Sequence, residues 1–313
     1  MPGRQVTLSA EQLAALCQRS NAKGLARLAA HLLLLLATGY GLWRSQDMGW
    51  VCGTLFLHGT VLVFLFAPAH ETAHRTAFKS RWLNIVVSHC CGFLLVLPAQ
   101  GFRLFHLAHH RHTQIPGLDP ELEASKPTSL MHYGWLMSGL PYWWGQWRAL
   151  FRHASNRISE PYIHRQEQRA LAWEARAYLA VYTALMLSAL SAPAIAYWLL
   201  LFWWLPAVVC MPMLRMFLLA EHTGCAQVPD MLRNSRTTLS NPLIRWLCWN
   251  MNYHAEHHAY AAIAFFALPE AHAALGPGIH TKSPGYWRFH RDRQWLGRQW
   301  LGRQQRERNS ANL

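Results

Sequence analysis

The sequence predicts an all-α integral membrane protein with four transmembrane helices arranged as two hairpins. Three observations support this fold class. The chain of 313 residues is 52% hydrophobic and only 14% charged. Its apolar residues are concentrated in two pairs of long runs, and its basic residues are concentrated in the segments between and after those pairs. Several histidine-rich motifs lie in or beside these same basic segments.

Each predicted span is an apolar run close to the roughly 20 residues that cross a bilayer as a helix. The four runs are residues 28–43, 49–68, 175–192 and 193–220. Trp43 and Trp198 lie near run ends, where amphipathic rings favour the membrane interface. Two further stretches, 84–99 and 129–147, are predicted to be interfacial or re-entrant pieces. Buried helices of a soluble protein are the alternative, but paired runs of this length are rare in soluble cores.

The distribution of lysine and arginine predicts the orientation. Basic residues are frequent in segment 75–169 and after Ala220, whereas the two short turns near Arg44 and Ser191 carry one between them. By the positive-inside rule, both termini and the middle segment are expected in the cytoplasm. The predicted parts are a cytoplasmic N-terminal segment (1–27), a membrane domain (28–275) and a basic cytoplasmic tail (276–313).

The net charge of +14 suggests an anionic partner, and the positions of the basic residues indicate which kind of partner it is. Because the charge flanks the apolar runs, attraction to anionic lipid is favoured over a nucleic-acid partner. A docking surface for an acidic electron carrier is the second interpretation. The tail also contains a tandem Arg-Gln-Trp-Leu-Gly repeat at 293–297 and 298–302, whose composition suits a membrane surface.

Nine of the 19 histidines form three tight motifs and one isolated position. Spacings of three and four residues place side chains on one face of a helix. Imidazole is the commonest metal-binding side chain, so these motifs are candidate metal ligands. The nine are His70 and His74; His106, His109 and His110; His222; and His254, His257 and His258.

Nine nitrogen donors are too many for one tetrahedral zinc and fit two ions with four to five nitrogen ligands each. Imidazole suits zinc, copper, iron and nickel alike, but open coordination positions in a lipid-facing enzyme favour iron and oxygen activation. Four carboxylates near the motifs are predicted to accept the free ring N–H of a ligand and fix its tautomer. They are Glu71, Glu221, Glu256 and Asp119. The alternative is that they are ordinary solvated acids.

Taken together, His-x-x-x-His, two His-x-x-His-His motifs and the single His222 resemble the membrane fatty acid desaturase and hydroxylase superfamily. The flanking residues agree, with Phe102-Arg103 before the second motif, Asp119-Pro120-Glu121 after it and Asn252-Tyr253 before the third. The resemblance covers about residues 28–275. It implies a helical cytoplasmic cap that holds a non-haem di-iron centre, with the nine histidines as ligands.

The resemblance also implies an oxygen-dependent oxidoreductase that acts on a lipid or hydrocarbon, with O2 as co-substrate. Electrons are expected from a separate ferredoxin-, rubredoxin- or cytochrome-like donor. Desaturation of a fatty acyl chain is the leading prediction. Hydroxylation of a fatty acid, hydrocarbon or isoprenoid, and decarboxylation to a terminal alkene, are alternatives on the same site.

Two other classes remain as alternatives. His70-Glu-Thr-Ala-His74 also matches the His-Glu-x-x-His pattern of zinc metallopeptidases, with Glu71 as general base, but a peptidase gives no reason for the later histidine motifs. A metal transporter needs polar groups along a path through the membrane. The apolar runs hold few of them, chiefly His31 and His58.

Overall fold

The computed structural model describes residues 7–292 of the chain. The tandem repeat at 293–302 therefore lies outside the described residues. The described chain falls into two compact units. Within the described residues, the first unit draws on 7–18, 109–138 and 215–292, and the second consists of Arg19–Ala108 and Gly139–Leu214.

Helices dominate residues 7–292, as the sequence predicts. The α-helices in chain order are α1 (Ala10–Leu16), α2 (Asn21–Arg44), α3 (Met48–Val63), α4 (Phe66–His74), α5 (Arg81–Leu94), α6 (Ala99–His112), α7 (Leu130–Met137), α8 (Leu140–Ala154), α9 (Arg165–Ser191), α10 (Pro193–Leu199), α11 (Leu205–His222), α12 (Met231–Asn234), α13 (Pro242–Leu247), α14 (His254–Ala259), α15 (Leu268–Leu275) and α16 (Tyr286–Arg291). Helices α6 and α11 each contribute residues to both units.

Short elements complete the two units. In the first unit, β1 (Thr237–Thr238) pairs in parallel with β2 (Lys282–Ser283). Turns of 3-10 helix occupy Pro120–Glu123, Phe265–Ala267 and Gly276–Gly278. In the second unit, a π-helical turn at Leu200–Trp204 continues α10.

Within residues 7–292, three helical stretches are long and apolar enough to cross a membrane: Asn21–Arg44, Met48–His74 and Pro193–His222. A fourth would be the bent pair of α5 and α6, whose axes differ by 100°. The predicted run 175–192 does not qualify, because α9 carries Arg176 and several hydroxyl-bearing residues in this stretch. The predicted topology of four spans in two hairpins is therefore not confirmed.

The first two of these stretches begin at side-chain caps. Ser20 accepts a hydrogen bond from a backbone N–H in the first turn of α2, and Asp47 does the same for α3, which satisfies donors that have no partner within the helix. The imidazoles of His31 and His58 bond to backbone carbonyl oxygens at 2.9 and 3.0 Å. These two buried histidines therefore form hydrogen bonds between helical segments, which indicates a structural role for them and not a role in transport.

The bend between α5 and α6 is stabilised by aromatic side chains of the second unit. A helix that ends in an apolar environment leaves carbonyl oxygens without partners, and each must be satisfied. Tyrosine and tryptophan side chains donate to four carbonyl oxygens at and just before this bend, one of which, that of Phe93, also accepts from the backbone N–H of Val96. The pairs are Tyr178 Oη to His89 O (3.2 Å), Tyr182 Oη to Phe93 O (2.6 Å), Trp203 Nε1 to Leu94 O (2.8 Å) and Tyr142 Oη to Leu95 O (2.7 Å).

The beginning of α6 is capped from α9. The Glu174 carboxylate accepts hydrogen bonds from the backbone N–H groups of Gln100 (2.8 Å) and Gly101 (3.3 Å). This places a negative charge at the positive end of the helix dipole. Within the bend, a Cβ added at Gly92 would lie 2.2 Å from the carbonyl oxygen of Leu97, so only glycine fits there. The bend thus fixes the direction in which α6 carries its histidines.

An ion-paired corner follows α8. The Glu160 carboxylate contacts the Arg152 guanidinium and the His153 imidazole, the latter at 2.8 Å. Partial burial would raise the pKa of Glu160, but these hydrogen bonds outweigh it and hold that pKa well below its usual value. The ionised carboxylate therefore stabilises the turn that leads into α9.

Candidate metal centre

Helix periodicity arranges the nine histidines. Helix α4 carries His70 and His74 one turn apart, and α6 carries the second motif near its C-terminal end. His222 is the last residue of α11, and α14 begins at His254. The nine are buried or half-buried, which is unusual for histidine and indicates a built site.

Four of the nine form a tetrahistidine group within the first unit. Their ligand nitrogen atoms all lie within 4.8 Å of one another, and all four side chains are buried. The Nε2 atom of His222 is the centre of the group, 3.1 Å from Nε2 of His109 and 2.9 Å from Nε2 of His254. His258 completes the group, with its ring centroid 4.6 Å from that of His222.

Oxygen acceptors hold the outer Nδ1 atoms of His109 and His222. His109 Nδ1 lies 2.8 Å from Oδ1 of Asp119, and His222 Nδ1 lies 3.1 Å from the backbone carbonyl oxygen of Asn234. A carbonyl oxygen and an ionised carboxylate can only accept. Both histidines therefore carry their proton on Nδ1 and direct the lone pair of Nε2 into the group.

Of the other two histidines, His258 shows the same arrangement, whereas His254 has a carboxylate oxygen near its Nδ1 atom. His258 Nδ1 lies 3.1 Å from the hydroxyl oxygen of Thr113. The Thr113 hydroxyl donates its own hydrogen bond to the carbonyl oxygen of His109 at 2.7 Å. That hydroxyl therefore accepts from His258. His254 Nδ1 lies 3.3 Å from Oε1 of Glu221.

The result is a buried centre onto which several nitrogen lone pairs converge. Among residues 7–292, the buried Nε2 of His258 has no hydrogen-bond partner, and an unsatisfied buried polar atom is costly. Burial also lowers the pKa of His258 well below its usual value, and neighbouring histidines lower it further. The ring therefore does not take up a second proton, and the repulsion between the converging nitrogen lone pairs remains. A metal ion fits this donor set, and four inward imidazoles are a recognised set for zinc, copper or iron.

A histidine triad lies in the second unit. His74 and His106 bring their Nε2 atoms within 2.7 Å, and the His70 ring centroid is 4.3 Å from that of His106. The Phe102 ring stacks on His106, and Phe66 packs against His70. These aromatic contacts restrict the rotamers of the two imidazoles.

The remaining two histidines, His110 and His257, belong to the first unit. The His110 ring stacks on that of His258 at a centroid distance of 3.9 Å and lies 4.8 Å from that of His257. Burial lowers the pKa of His257 to about 3, so its imidazole is neutral and able to bind a metal.

The four predicted carboxylates have different surroundings. Asp119 and Glu221 lie beside ring nitrogens of the tetrahistidine group, as given above. Glu71 has one oxygen 3.7 Å from His70 Nδ1, and its other oxygen accepts from Thr76. Among the described residues, the hydrogen-bond partners of the fully buried Glu256 are His272 and Thr237, and none of the nine histidines.

Sequence reasoning missed the part played by backbone and hydroxyl groups. The carbonyl of Asn234 has no sequence signal, because any residue could supply it. The side chain of Asn252, just before the third motif, donates to the carbonyl of Thr238 in β1, whose N–H bonds back to the Asn252 carbonyl. This pairing fixes the start of α14 and hence the direction of its three histidines.

Comparison with known proteins identifies the family of the chain. The family profile described as fatty acid desaturase matches residues 48–290. The chain is 25% identical to the sn-1 oleoyl-lipid 12-desaturase of Synechocystis sp. over 282 residues, which cover 82% of this chain and 78% of that protein. It is 24% identical to the enzyme of the same name from Anabaena variabilis, covering 82% and 79% of the two chains.

A shorter match links the chain to the sn-1 acyl-lipid omega-3 desaturase (ferredoxin) of Nostoc sp., with 28% identity over 82 residues. It covers 26% of this chain and 21% of that protein. The family profile, by contrast, covers most of the chain, including all nine histidines. The protein is thus a desaturase-like oxygenase, and the chain belongs to the fatty acid desaturase family.

Proposed function

We propose that this protein is a membrane desaturase that introduces a carbon–carbon double bond into a fatty acyl chain of a lipid. The names of the relatives support a lipid substrate, since four of them are named sn-1 oleoyl-lipid 12-desaturase. The Nostoc relative is named as ferredoxin-dependent, which supports a small external ferredoxin-like electron donor. O2 is the proposed co-substrate.

All nine histidines are the proposed ligands of two iron ions. The observation that carries this proposal is the tetrahistidine group, in which neutral imidazoles turn their Nε2 atoms toward one buried point. The other five proposed ligands are His70, His74, His106, His110 and His257. When bound, the iron pair supplies the oxygen activation that breaking an unactivated C–H bond requires.

The protein groups have definite tasks in this mechanism. Asp119 and the Asn234 carbonyl each hold a proton on an outer Nδ1 and so keep the corresponding Nε2 free for the metal. Such outer contacts raise ligand basicity and fix ring orientation. The Thr113 hydroxyl does the same for His258. The centre is therefore ordered before metal arrives, which lowers the cost of binding.

We further propose that α9 provides the fourth span, with both termini and the histidines on the cytoplasmic side. Large apolar side chains in the second half of α9, among them Met186 (61% exposed) and Leu190 (76% exposed), face outward like Leu33 and Leu36 of α2. Exposed apolar residues in this number suit contact with lipid. The distribution of lysine and arginine supports the orientation.

The test is expression in a host that makes monounsaturated but no polyunsaturated acyl lipids, followed by mass spectrometry of the lipids. We expect a product two mass units lighter that carries a new double bond. The His109→Ala variant should give none, whereas replacement of the exposed His280 by Ala should leave the yield unchanged. A product with a new hydroxyl group would instead support the hydroxylase alternative.

A further inference from the structure

A second carboxylate, that of Glu121, lies at the inner nitrogen of His109. Glu121 belongs to the 3-10 turn Pro120–Glu123, and its backbone N–H donates to Oδ1 of Asp119 at 2.9 Å. One short turn thus carries both acids. Asp119 contacts Nδ1 of His109, and Oε2 of Glu121 lies 3.3 Å from Nε2 of the same ring.

This second contact is not an ordinary hydrogen bond. Because Asp119 takes the Nδ1 proton, Nε2 of His109 presents a lone pair, and a carboxylate oxygen presents lone pairs as well. Nε2 of His222 lies 3.1 Å from the same His109 atom and also presents a lone pair. A metal cation among these two nitrogens and the carboxylate oxygen would be attracted by all three atoms.

Lys126 does not supply a cation among these three atoms. Its ammonium group pairs with the other oxygen of the carboxylate, Oε1, at 2.5 Å. This leaves Oε2 directed toward the histidines and partly offsets the negative charge of Glu121. The carboxylate is therefore held by Lys126 on one side and open to a metal on the other.

We propose that Glu121 supplies an oxygen ligand, through Oε2, to the ion bound by His109, His222, His254 and His258. This inference rests on the proposed metal centre and goes beyond its all-histidine ligand set. A fifth, anionic oxygen ligand favours iron over zinc, because structural zinc sites are almost always four-coordinate. Histidines combined with a carboxylate are the usual set of non-haem iron oxygenases.

The test uses the full-length protein in detergent, depleted of metal and titrated with Co2+. Visible absorption of bound Co2+ reports its coordination, and competition with a chelator reports its affinity. Glu121→Gln should change the absorption spectrum and weaken binding at this centre about 10- to 100-fold, the range seen when groups that support a metal site are removed. Circular dichroism and thermal unfolding establish that the variant is folded.

Two matched variants separate a ligand from a structural ion pair. Lys126→Gln breaks the same salt bridge but keeps the carboxylate, so it should keep the wild-type cobalt spectrum and lose clearly less affinity than Glu121→Gln. Glu123→Gln removes an exposed acid from the same turn and should have no effect. Equal cobalt spectra for Glu121→Gln and wild type, or equal losses for Glu121→Gln and Lys126→Gln, would overturn the inference. Wild-type protein that binds no cobalt would overturn the metal centre itself.

Discussion

Replacement of Asp119 by asparagine tests how the tetrahistidine group is ordered. The carboxylate accepts three hydrogen bonds, from Nδ1 of His109 (2.8 Å) and from the backbone N–H groups of Gln114 (2.7 Å) and Glu121 (2.9 Å). Burial would raise the pKa of Asp119, but these bonds lower it further than burial raises it, so the group is ionised.

An asparagine has the same shape but only one accepting oxygen. In either orientation its NH2 group meets an N–H donor, that of Gln114 or that of His109, so at least one bond becomes a repulsion. Loss of one hydrogen bond to a charged group costs about 1.5–3 kcal/mol. This cost applies with or without bound metal, whereas the metal affinity falls because the ionised carboxylate no longer raises the basicity of His109, an effect of about 10- to 100-fold.

The assay is competition between the purified protein and a ferrous-ion chelator, with wild type and Asp119→Asn compared at equal concentration. Asp292→Asn is the control, because Asp292 pairs only with the exposed Arg291 among the described residues. An Asp119→Asn protein that holds iron as tightly as wild type would show that Asp119 does not set the tautomer of His109.

Three further predictions concern the second unit. Tyr182→Phe removes the hydroxyl that donates to the carbonyl of Phe93 and leaves that carbonyl with the backbone N–H of Val96 at 3.2 Å; it should lower the free energy of unfolding by about 0.5–1.5 kcal/mol, and an unchanged melting temperature in detergent would argue against it. Gly92→Ala places a Cβ against the carbonyl of Leu97 and should lower the melting temperature more than Tyr182→Phe does. A melting temperature equal to that of the wild type would contradict this contact. Because the pKa of Glu160 is lowered on folding, its stabilisation is complete above the unfolded pKa of about 4.5 and is lost as the pH falls through the folded pKa. The stability difference between wild type and Glu160→Gln should therefore shrink under acid conditions, and a constant difference would contradict the assignment.

Much of the candidate site could be predicted from sequence because helix periodicity is local. Spacings of three and four residues were enough to single out His106, His109 and His110, and the same pattern recurs at 254–258. The contacts that orient these imidazoles toward one point, by contrast, join residues that are distant in the sequence. The partners of His222 and His258 are the Asn234 carbonyl and the Thr113 hydroxyl, the second of them 145 residues away from His258. No pattern along the chain contains that information.

The sequence predicts the membrane spans less well where a mainly apolar helix also carries polar side chains with a structural role. Segment 84–99 is predicted to be interfacial or re-entrant, and it forms most of α5 and the 100° bend, a geometry compatible with a re-entrant piece. The run 175–192 is predicted to be a span, yet α9 does not qualify by hydropathy, because Arg176 and hydroxyl-bearing residues, among them Tyr178 and Tyr182, lower the hydropathy of this stretch. The structure gives the reason for these tyrosines: their hydroxyls satisfy carbonyl groups of α5. A hydropathy argument cannot distinguish such a satisfied polar group from an exposed one.

The central claim is that the histidine motifs bind a pair of irons, and metal stoichiometry tests it most directly. Iron and zinc should be measured per chain in protein purified without oxygen and reconstituted with ferrous ion, for wild type and for His222→Ala. We predict two irons per wild-type chain and a clear loss of iron from His222→Ala, since His222 Nε2 is the centre of the tetrahistidine group. A single zinc in the wild type, or full iron content in His222→Ala, would contradict the account.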